Sequence, residues 1–383
     1  MSNILISVVV ARSEDLREFA LFSTFWLAHV LFLVVVRGMH GEVLQIVSTR
    51  TPDSAVARQD SAVSVAQFAL AVSTSYLTAS IFLGGSLRVY ALLFALVTPF
   101  VFLQDHFRYT CFARLCMRDA LHSDVAFLAI QVGSLVGFFA IWGHVTPAAA
   151  IFTWGLGAMM TLTARGPRAM LQYRLRTHWL IDWRFLASRF TVEALIMRGS
   201  SHLALIGVGL VASVDALGAI RGAALIFGPA SVLLAGVLAI GIPRAAREGS
   251  SFSKSDHTIR ATCWFLLAVV AYASALSTGG IGPSMLGDSW RVTQPLIVPY
   301  AVLVLCTGLQ LPAIVRLRSE GHANESLKAR GVLAALRLGA APTGVHWGSA
   351  SGAVWGLALA EAIGATALWR QALRATGASG RHP

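Results

Sequence analysis

Residues 58–118 read RQDSAVSVAQFALAVSTSYLTASIFLGGSLRVYALLFALVTPFVFLQDHFRYTCFARLCMR. The stretch opens on Arg58 and closes on Arg108, Arg114 and Arg118. Between them lie two apolar runs, 62–84 and 87–104, joined by a short, weakly charged connection. A membrane-crossing helix needs about 20 apolar residues, and each run is close to that length. A hydrophobic hairpin that leaves and re-enters one basic side is what the positive-inside rule predicts.

The same unit recurs along the chain. Basic residues fall in six clusters: Arg37/Arg50/Arg58, Arg108/Arg114/Arg118, Arg165/Arg168/Arg174/Arg176/Arg184, Arg244/Arg247/Lys254/Arg260, Arg316/Arg318/Lys328/Arg330 and Arg370/Arg374/Arg381. A pair of apolar segments separates each cluster from the next. The spans predicted this way are 19–37, 62–84, 87–104, 124–143, 146–164, 190–212, 219–242, 261–280, 294–315, 332–350 and 352–369. The run Ile4–Ala11 is a twelfth, too short to cross alone. Loops 105–123, 165–189, 244–260 and 316–331 are expected in the cytoplasm, and connections 143–146, 213–218 and 281–293 outside. Trp142, Trp290 and Trp347 are placed near outer ends, and Trp179, Trp183 and Trp369 near inner ends, as interfacial belts. The C-terminus is expected in the cytoplasm and the protein in the inner, cytoplasmic membrane.

Composition agrees. Hydrophobic residues make up 56% of the 383 and charged residues only 13%, where soluble domains carry about 25% charged. Mean hydropathy is +0.68. The formal net charge of +12 would suggest nucleic acid in a soluble chain. Here the charges are loop clusters that orient helices against anionic lipid, so no nucleic-acid partner is expected. Cys111, Cys116, Cys263 and Cys306 form no C-x-x-C pair and no His-rich spacing, so they read as structural and no metal or cofactor is expected. Arg12, Glu14, Asp15 and Arg17 follow the first apolar run where a cleaved leader would carry small residues, so no cleavable signal peptide is expected. The absence of G-x-x-x-x-G-K-[ST] argues against ATP hydrolysis by the chain itself.

Residues 5–16 (LISVVVARSEDL) and 205–217 (LIGVGLVASVDAL) match with one gap. Two six-helix halves in parallel orientation, related by a pseudo-two-fold, would produce this repeat. The expected fold class is therefore all-α and polytopic, with 11–12 spans and a first helix cut short. The expected domains are an N-terminal helix bundle over 1–164, a cytoplasmic amphipathic linker over 165–189, a C-terminal bundle over 190–370 and a cytoplasmic tail over 371–383.

Charges at membrane depth are costly, so each is a functional candidate. Arg198 and His202 lie four residues apart and would share a helix face. Arg198 would sit about 12 Å along a helix starting near residue 190, close to the bilayer middle. With Arg337 and Arg221 they could form a cationic cavity, because guanidinium forks match phosphate oxygens. Glu193 and Glu361 are the candidates for carrying a proton or a cation. The bland alternative is that Arg88, Arg221 and Arg337 snorkel to an interface while Glu193 stays solvated. In the motif Phe227-Gly228-Pro229-Ala230-Ser231, Pro229 is expected to bend its helix, and Gly228 and Pro229 together to serve as a hinge or a close packing point.

The stretch Val192–Arg247 carries a family resemblance. Glu193, Gly199, Gly218-Ala219-Ile220-Arg221-Gly222-Ala223-Ala224, Phe227-Gly228-Pro229 and Pro243-Arg244-Ala245-Ala246-Arg247 resemble the start of the second half of bacterial polysaccharide-export flippases. These belong to the multidrug/oligosaccharidyl-lipid/polysaccharide exporter superfamily, and the chain is most similar to its actinobacterial members. Val9–Arg12, Phe19–Leu21 and Gly41–Leu44 are similar to the family's opening, and Gly352–Leu357 to its last helix. The resemblance implies twelve helices around a central cavity. It also implies movement of a polyprenyl-diphosphate-linked glycan across the membrane, among membrane lipids, a polysaccharide polymerase and glycosyltransferases. No enzyme activity is expected.

Three alternatives stay open. A multidrug/cation antiporter of the related class would need a carboxylate inside the first bundle, and no mid-membrane Asp or Glu is expected there. A membrane glycosyltransferase would need paired acids on a sizeable outer loop, and these outer loops are short. An inactive, truncated relative would share the fold without transport.

Overall fold

The computed structural model describes residues 2–50, 54–114, 116–164, 178–234, 237, 256–278, 281–319 and 323–379. The inner-loop arginines 165, 168, 174 and 176, the Pro243–Arg247 motif and Lys254 lie outside the described residues. Among the described residues there are helices and no strands. The chain is an all-α, polytopic membrane protein.

Two compact units divide the chain, Met1–Gly199 and Ser200–Pro383. The first begins with α1 (Ser2–Ser13) and α2 (Leu16–Val36), which runs through a π-helical turn (Arg37–Glu42) into α3 (Val43–Arg50). Then come α4 (Ser54–Phe82), α5 (Gly85–Ala113), α6 (Met117–Trp142), α7 (Pro147–Thr163), α8 (Trp179–Asp182), α9 (Arg184–Ala194) and a second π turn (Leu195–Gly199). The second unit holds α10 (Ser200–Val211), α11 (Val214–Ile226), α12 (Gly228–Leu234) and α13 (Asp256–Thr278). It continues with α14 (Ile281–Leu286), α15 (Trp290–Thr293), α16 (Ile297–Leu309), α17 (Leu311–Ser319) and α18 (Ala323–Ser379).

Seven of the described helices are long and apolar enough to cross a membrane by length and composition, and the bent pair α11–α12 makes up to eight. The described residues of the eleven expected spans fall mostly on helix; 235–236, 238–242 and 279–280 lie outside the described residues. α7 and α10 are apolar but short, and α10 is prolonged by α9 through the second π turn. α18 carries two spans because it breaks at Gly348 and Ser349, where Ser349 takes φ +52°.

The ends of these helices follow local chemistry. Asp15 caps α2 by accepting the Glu18 amide at 2.8 Å. Thr146 and Ser213 cap α7 and α11 in the same way, at 3.2 and 3.1 Å. Each side chain satisfies a donor that the first helical turn leaves orphaned. In both matched segments of the sequence repeat, a helix ends, turns within a few residues and restarts on a side-chain cap.

Several expected loops are shorter than the hydropathy suggested. The expected loop 105–123 shrinks to Arg114–Cys116, because α5 runs on to Ala113 and α6 starts at Met117. The polar residues there stay helical because they neutralise one another across helices. The interfacial role expected for two tryptophans is also corrected. Trp179 is 1% exposed and Trp290 8%, and Trp290 closes over Gly282. Trp142 and Trp347 are exposed as a belt requires.

In the first unit, α9 lies directly on the π turn of α2. A β-carbon on Gly38 would fall 2.7 Å from the Thr191 α-carbon, so the approach needs glycine there. Trp179 donates its indole N–H to the Met39 carbonyl at 3.2 Å. A π turn widens the helix and changes its carbonyl pairing, and such turns concentrate at functional sites. Val43, Leu44, Val47, Trp179 and Ala187 form the small core beneath this contact.

In the second unit, the two halves of α18 fold back into a hairpin. A β-carbon on Gly344 would meet the Gly352 carbonyl oxygen, and one on Gly356 would meet that of Ala340. Small residues let the backbones touch, the usual basis of close helix packing in lipid. The same register carries on down the hairpin to Arg337 beside Glu361 and Leu333 beside Gly364.

Candidate functional site

The hairpin register places two candidates in direct contact. Arg337 donates from Nε to Glu361 Oε1 at 2.5 Å, and its Nη2 lies equally close. Gln310, at the end of α16, donates to Glu361 Oε2 at 2.6 Å and to the Glu361 carbonyl at 3.2 Å. Arg337 Nη1 reaches Ser200 Oγ, at the start of α10, at 3.3 Å. The side chains of Arg337 and Glu361 are 12% and 4% exposed. Four helical segments thus meet at one neutral, buried ion pair. Arg337 is not a free cation for a ligand, and Glu361 is not a free carboxylate.

Arg221 and His202 differ in this respect. Arg221 sits on α11 and His202 on α10, close enough for the guanidinium charge to act on the imidazole. Arg221 Nε and His202 Nδ1 are sealed from solvent without a hydrogen-bond partner among the described residues. Six residues beyond Arg221, α11 and α12 bend by 55° at Phe227. Pro229 has no N–H to offer the preceding turn, which accounts for a break here. Tyr272 donates its hydroxyl to the Ile226 carbonyl at 3.2 Å. The Phe227 ring stacks on Tyr300 at 5.5 Å and meets Tyr272 edge-on at 5.9 Å. The bend is therefore braced by two tyrosines, with the uncompensated arginine just before it.

Arg198 lies in the second π turn, in the first unit. It is half exposed and 4.0 Å from Glu42 in the other π turn. Five residues in π-helical conformation, Leu195–Gly199, precede Ser200. Glu193 lies half-buried on α9.

The first unit also holds a charged group that hydropathy reading missed. Arg37 donates from Nε and Nη2 to both Asp105 oxygens, at 2.8 and 2.7 Å. Arg108 reaches Asp105 at 3.4 Å and Asp124 at 3.1 Å. Gln104 lies 3.5 Å from Asp124. These residues line one end of a cavity of about 340 Å³ between α2, α5, α6 and α7. The available signal was spacing: Asp105 and Arg108 are three apart on α5, one helix face.

Asp105→Ala leaves Arg37, only 26% exposed, without its bidentate partner. A loss of about 2–4 kcal/mol is expected, somewhat below that for a fully buried pair because both arginines keep some solvent. Thermal unfolding of purified protein in detergent measures it. A change under about 0.5 kcal/mol would show that water already carries these charges.

Among the described residues, no three His, Cys, Asp or Glu side chains converge as a metal site would require. What the geometry offers among the described residues is charge inside helical bundles: the Arg37–Asp105–Arg108–Asp124 group, the Arg337–Glu361 pair, and the Arg221 guanidinium with its Nε unpartnered.

Neither a protein-family model nor a curated protein matches the sequence. Solved structures do match. The inward-facing conformation of a multidrug resistance MATE family transporter of the MOP superfamily aligns with TM-score 0.76 and 11% identity, over 100% of this chain and 96% of that one. The lipid II flippase MurJ, in an inward closed conformation, aligns with TM-score 0.71 and 10% identity, over 97% and 87%. A MOP superfamily transporter from Pyrococcus furiosus, whose binding pocket is described as having reverse polarity, aligns with TM-score 0.63 and 12% identity, over 98% and 91%. At such identities the likeness establishes the fold, which is that of MOP superfamily transporters.

Proposed function

We propose that the chain is a flippase that carries a polyprenyl-diphosphate-linked oligosaccharide across the cytoplasmic membrane by alternating access, for polysaccharide export. The observation that carries this reading is Arg221: a guanidinium on a membrane helix, with Nε sealed from solvent and unpaired among the described residues. An uncompensated charge at such depth costs several kcal/mol and marks an ion or substrate path. A diphosphate supplies the missing counter-charge and the acceptor oxygens that a guanidinium fork matches. His202 beside it adds a second nitrogen donor. The fold it shares with a lipid II flippase supports a lipid-linked substrate.

In this reading Gly228 and Pro229 give the bend below Arg221 its freedom to flex, and Glu361, held by Arg337, is the group that a coupling proton or cation would release. Arg198 is a further candidate contact for the diphosphate, and Glu193 for the coupling ion. The bundles 1–164 and 190–370, joined by the linker 165–189, work with the 371–383 tail in the cytoplasm. Glycosyltransferases supply the substrate and a polymerase consumes it. A drug/cation antiporter is less well supported, since the buried carboxylates Asp105 and Glu361 are each already held by arginine.

The test is the leaflet distribution of lipid-linked glycan in a deletion strain, read with an impermeant sugar-modifying reagent. Arg221→Ala, expressed at the wild-type level, should lower outer-leaflet glycan by about tenfold or more, the scale of losing a charge-assisted pair. Arg221→Lys should retain part of the activity, because a point charge replaces the fork. Full rescue by Arg221→Ala would remove the diphosphate contact from this site.

A further inference from the structure

The cavity of the first unit has two unlike ends. Arg37, Gln104, Asp105, Arg108 and Asp124 form one, and Leu33, Val101, Leu128 and Trp154 the other. Chain direction orders them consistently. On α2 the sequence runs from Leu33 to Arg37, on α5 from Val101 to Arg108, and on α6 back from Asp124 to Leu128. The apolar end is therefore the deep one. One turn further along α2 stands His29, and one turn further along α6 stands Gln131.

Both residues are 0% exposed. Both ring nitrogens of His29 and both amide atoms of Gln131 lack a hydrogen-bond partner among the described residues. Aromatic rings surround the imidazole: Phe94 at 5.0 Å, Phe102 and Trp154 at 5.3 Å, and Tyr76 at 6.3 Å. Trp154 meets it edge-on and also lines the cavity, so a single indole separates the ring from that space.

Buried polar groups that the protein leaves unpaired are normally paired by water. Here the ionic cavity, which Trp154 lines, offers room for water beside the ring. A cationic ring inside an aromatic cage is stabilised by the surrounding π faces. A neutral imidazole always has one bare nitrogen able to accept a proton.

We propose that this cavity is the hydrated inner end of a proton path and that His29 is the proton-binding group at its head. A hydronium ion in the cavity hands its proton to the bare ring nitrogen and remains as water, leaving an imidazolium within the cage. The groups facing the ring are Tyr76 from α4, Phe94 and Phe102 from α5 and Trp154 from α7. Of these only Tyr76 is titratable, and its hydroxyl is unpartnered. The charged groups along the path are Arg37, Asp105, Arg108 and Asp124, two turns away at the cavity mouth. They pair among themselves and leave the mouth near neutrality, a composition that does not repel a proton. The inference is independent of the glycan reading: a failure of the Arg221 test leaves it standing.

The reporter is already in place, because an imidazolium against an indole quenches its fluorescence. The full chain in lipid nanodiscs should show a tryptophan emission component that falls as pH is lowered from about 8 to about 4. His29→Gln should abolish that component, and Trp154→Phe should remove it by removing the reporter. Leu128→Phe fills the deep end of the cavity and should slow the response to a rapid pH jump by at least about tenfold without changing its amplitude. A wild-type protein with no such component overturns the proposal. So does a component that survives both His29→Gln and Trp154→Phe. If His29→Gln fails to fold, Trp154→Phe and Leu128→Phe decide alone: an undiminished component in the first, or an unchanged rate in the second, rejects it.

Discussion

Arg337→Ala is expected to be among the most damaging single truncations in the second unit, costing about 3–5 kcal/mol. The residue does not merely contribute a contact. It neutralises a carboxylate that is 4% exposed and touches α16 and both halves of α18. Removing the guanidinium leaves the Glu361 carboxylate among apolar helices with Gln310 as its side-chain donor among the described residues. A neutral hydrogen bond between membrane helices averages only about 0.6 kcal/mol, so a cost of that size would mean the carboxylate is protonated or wet. The paired replacement Arg337→Met with Glu361→Leu removes both charges and restores apolar packing. It should recover most of the loss, because apolar isosteres often equal a buried ion pair. Thermal unfolding of the single and double variants in one detergent reads the difference. A double variant less stable than either single one would show that the pair itself, rather than its neutrality, holds the hairpin.

That pair marks where sequence reading ends. Arg337 and Glu361 were both recognised as charges at membrane depth, and both were assigned separate tasks. Their contact depends on the fold-back at Gly348 and Ser349, which juxtaposes residues 24 apart. Apolar periodicity carries no information about such a register. The eleven apolar positions were legible because loop arginines repeat with a fixed sense, a one-dimensional signal. The charges of α5 and α6 were hidden by the same criterion. Asp105 falls just past an apolar run and Asp124 at the start of one, so a hydropathy reading puts the first in a loop and the second at a span's edge, whereas Arg37 and Arg108 hold both inside helices. The bend at Pro229 was legible because it is a property of proline's missing N–H and needs no tertiary partner. His29 gave no sequence signal, since a lone histidine on an apolar helix looks like any other core residue.

The hairpin also yields the steepest expected contrast among conservative changes. At Gly352 a β-carbon would sit on the Gly344 carbonyl oxygen, and at Gly344 on the Gly352 carbonyl. Both obstacles are backbone, so no side chain can rotate away. Gly352→Val must force the two halves of α18 apart by roughly an ångström or more. That separation stretches the Arg337–Glu361 bonds in the same register, so overpacking and an ion-pair loss add. A cost above about 4 kcal/mol is expected, at the upper end for point substitutions, and little folded protein should survive extraction. Gly364→Ala is milder, since its new methyl meets only the flexible end of Leu333. Gly339→Ala meets nothing within 4 Å and should be neutral or stabilising by up to about 1 kcal/mol, because alanine favours helix over glycine. Folded yield and melting temperature across the three variants test the register directly. If Gly352→Val behaves like Gly339→Ala, the two halves of α18 do not touch where the hairpin places them.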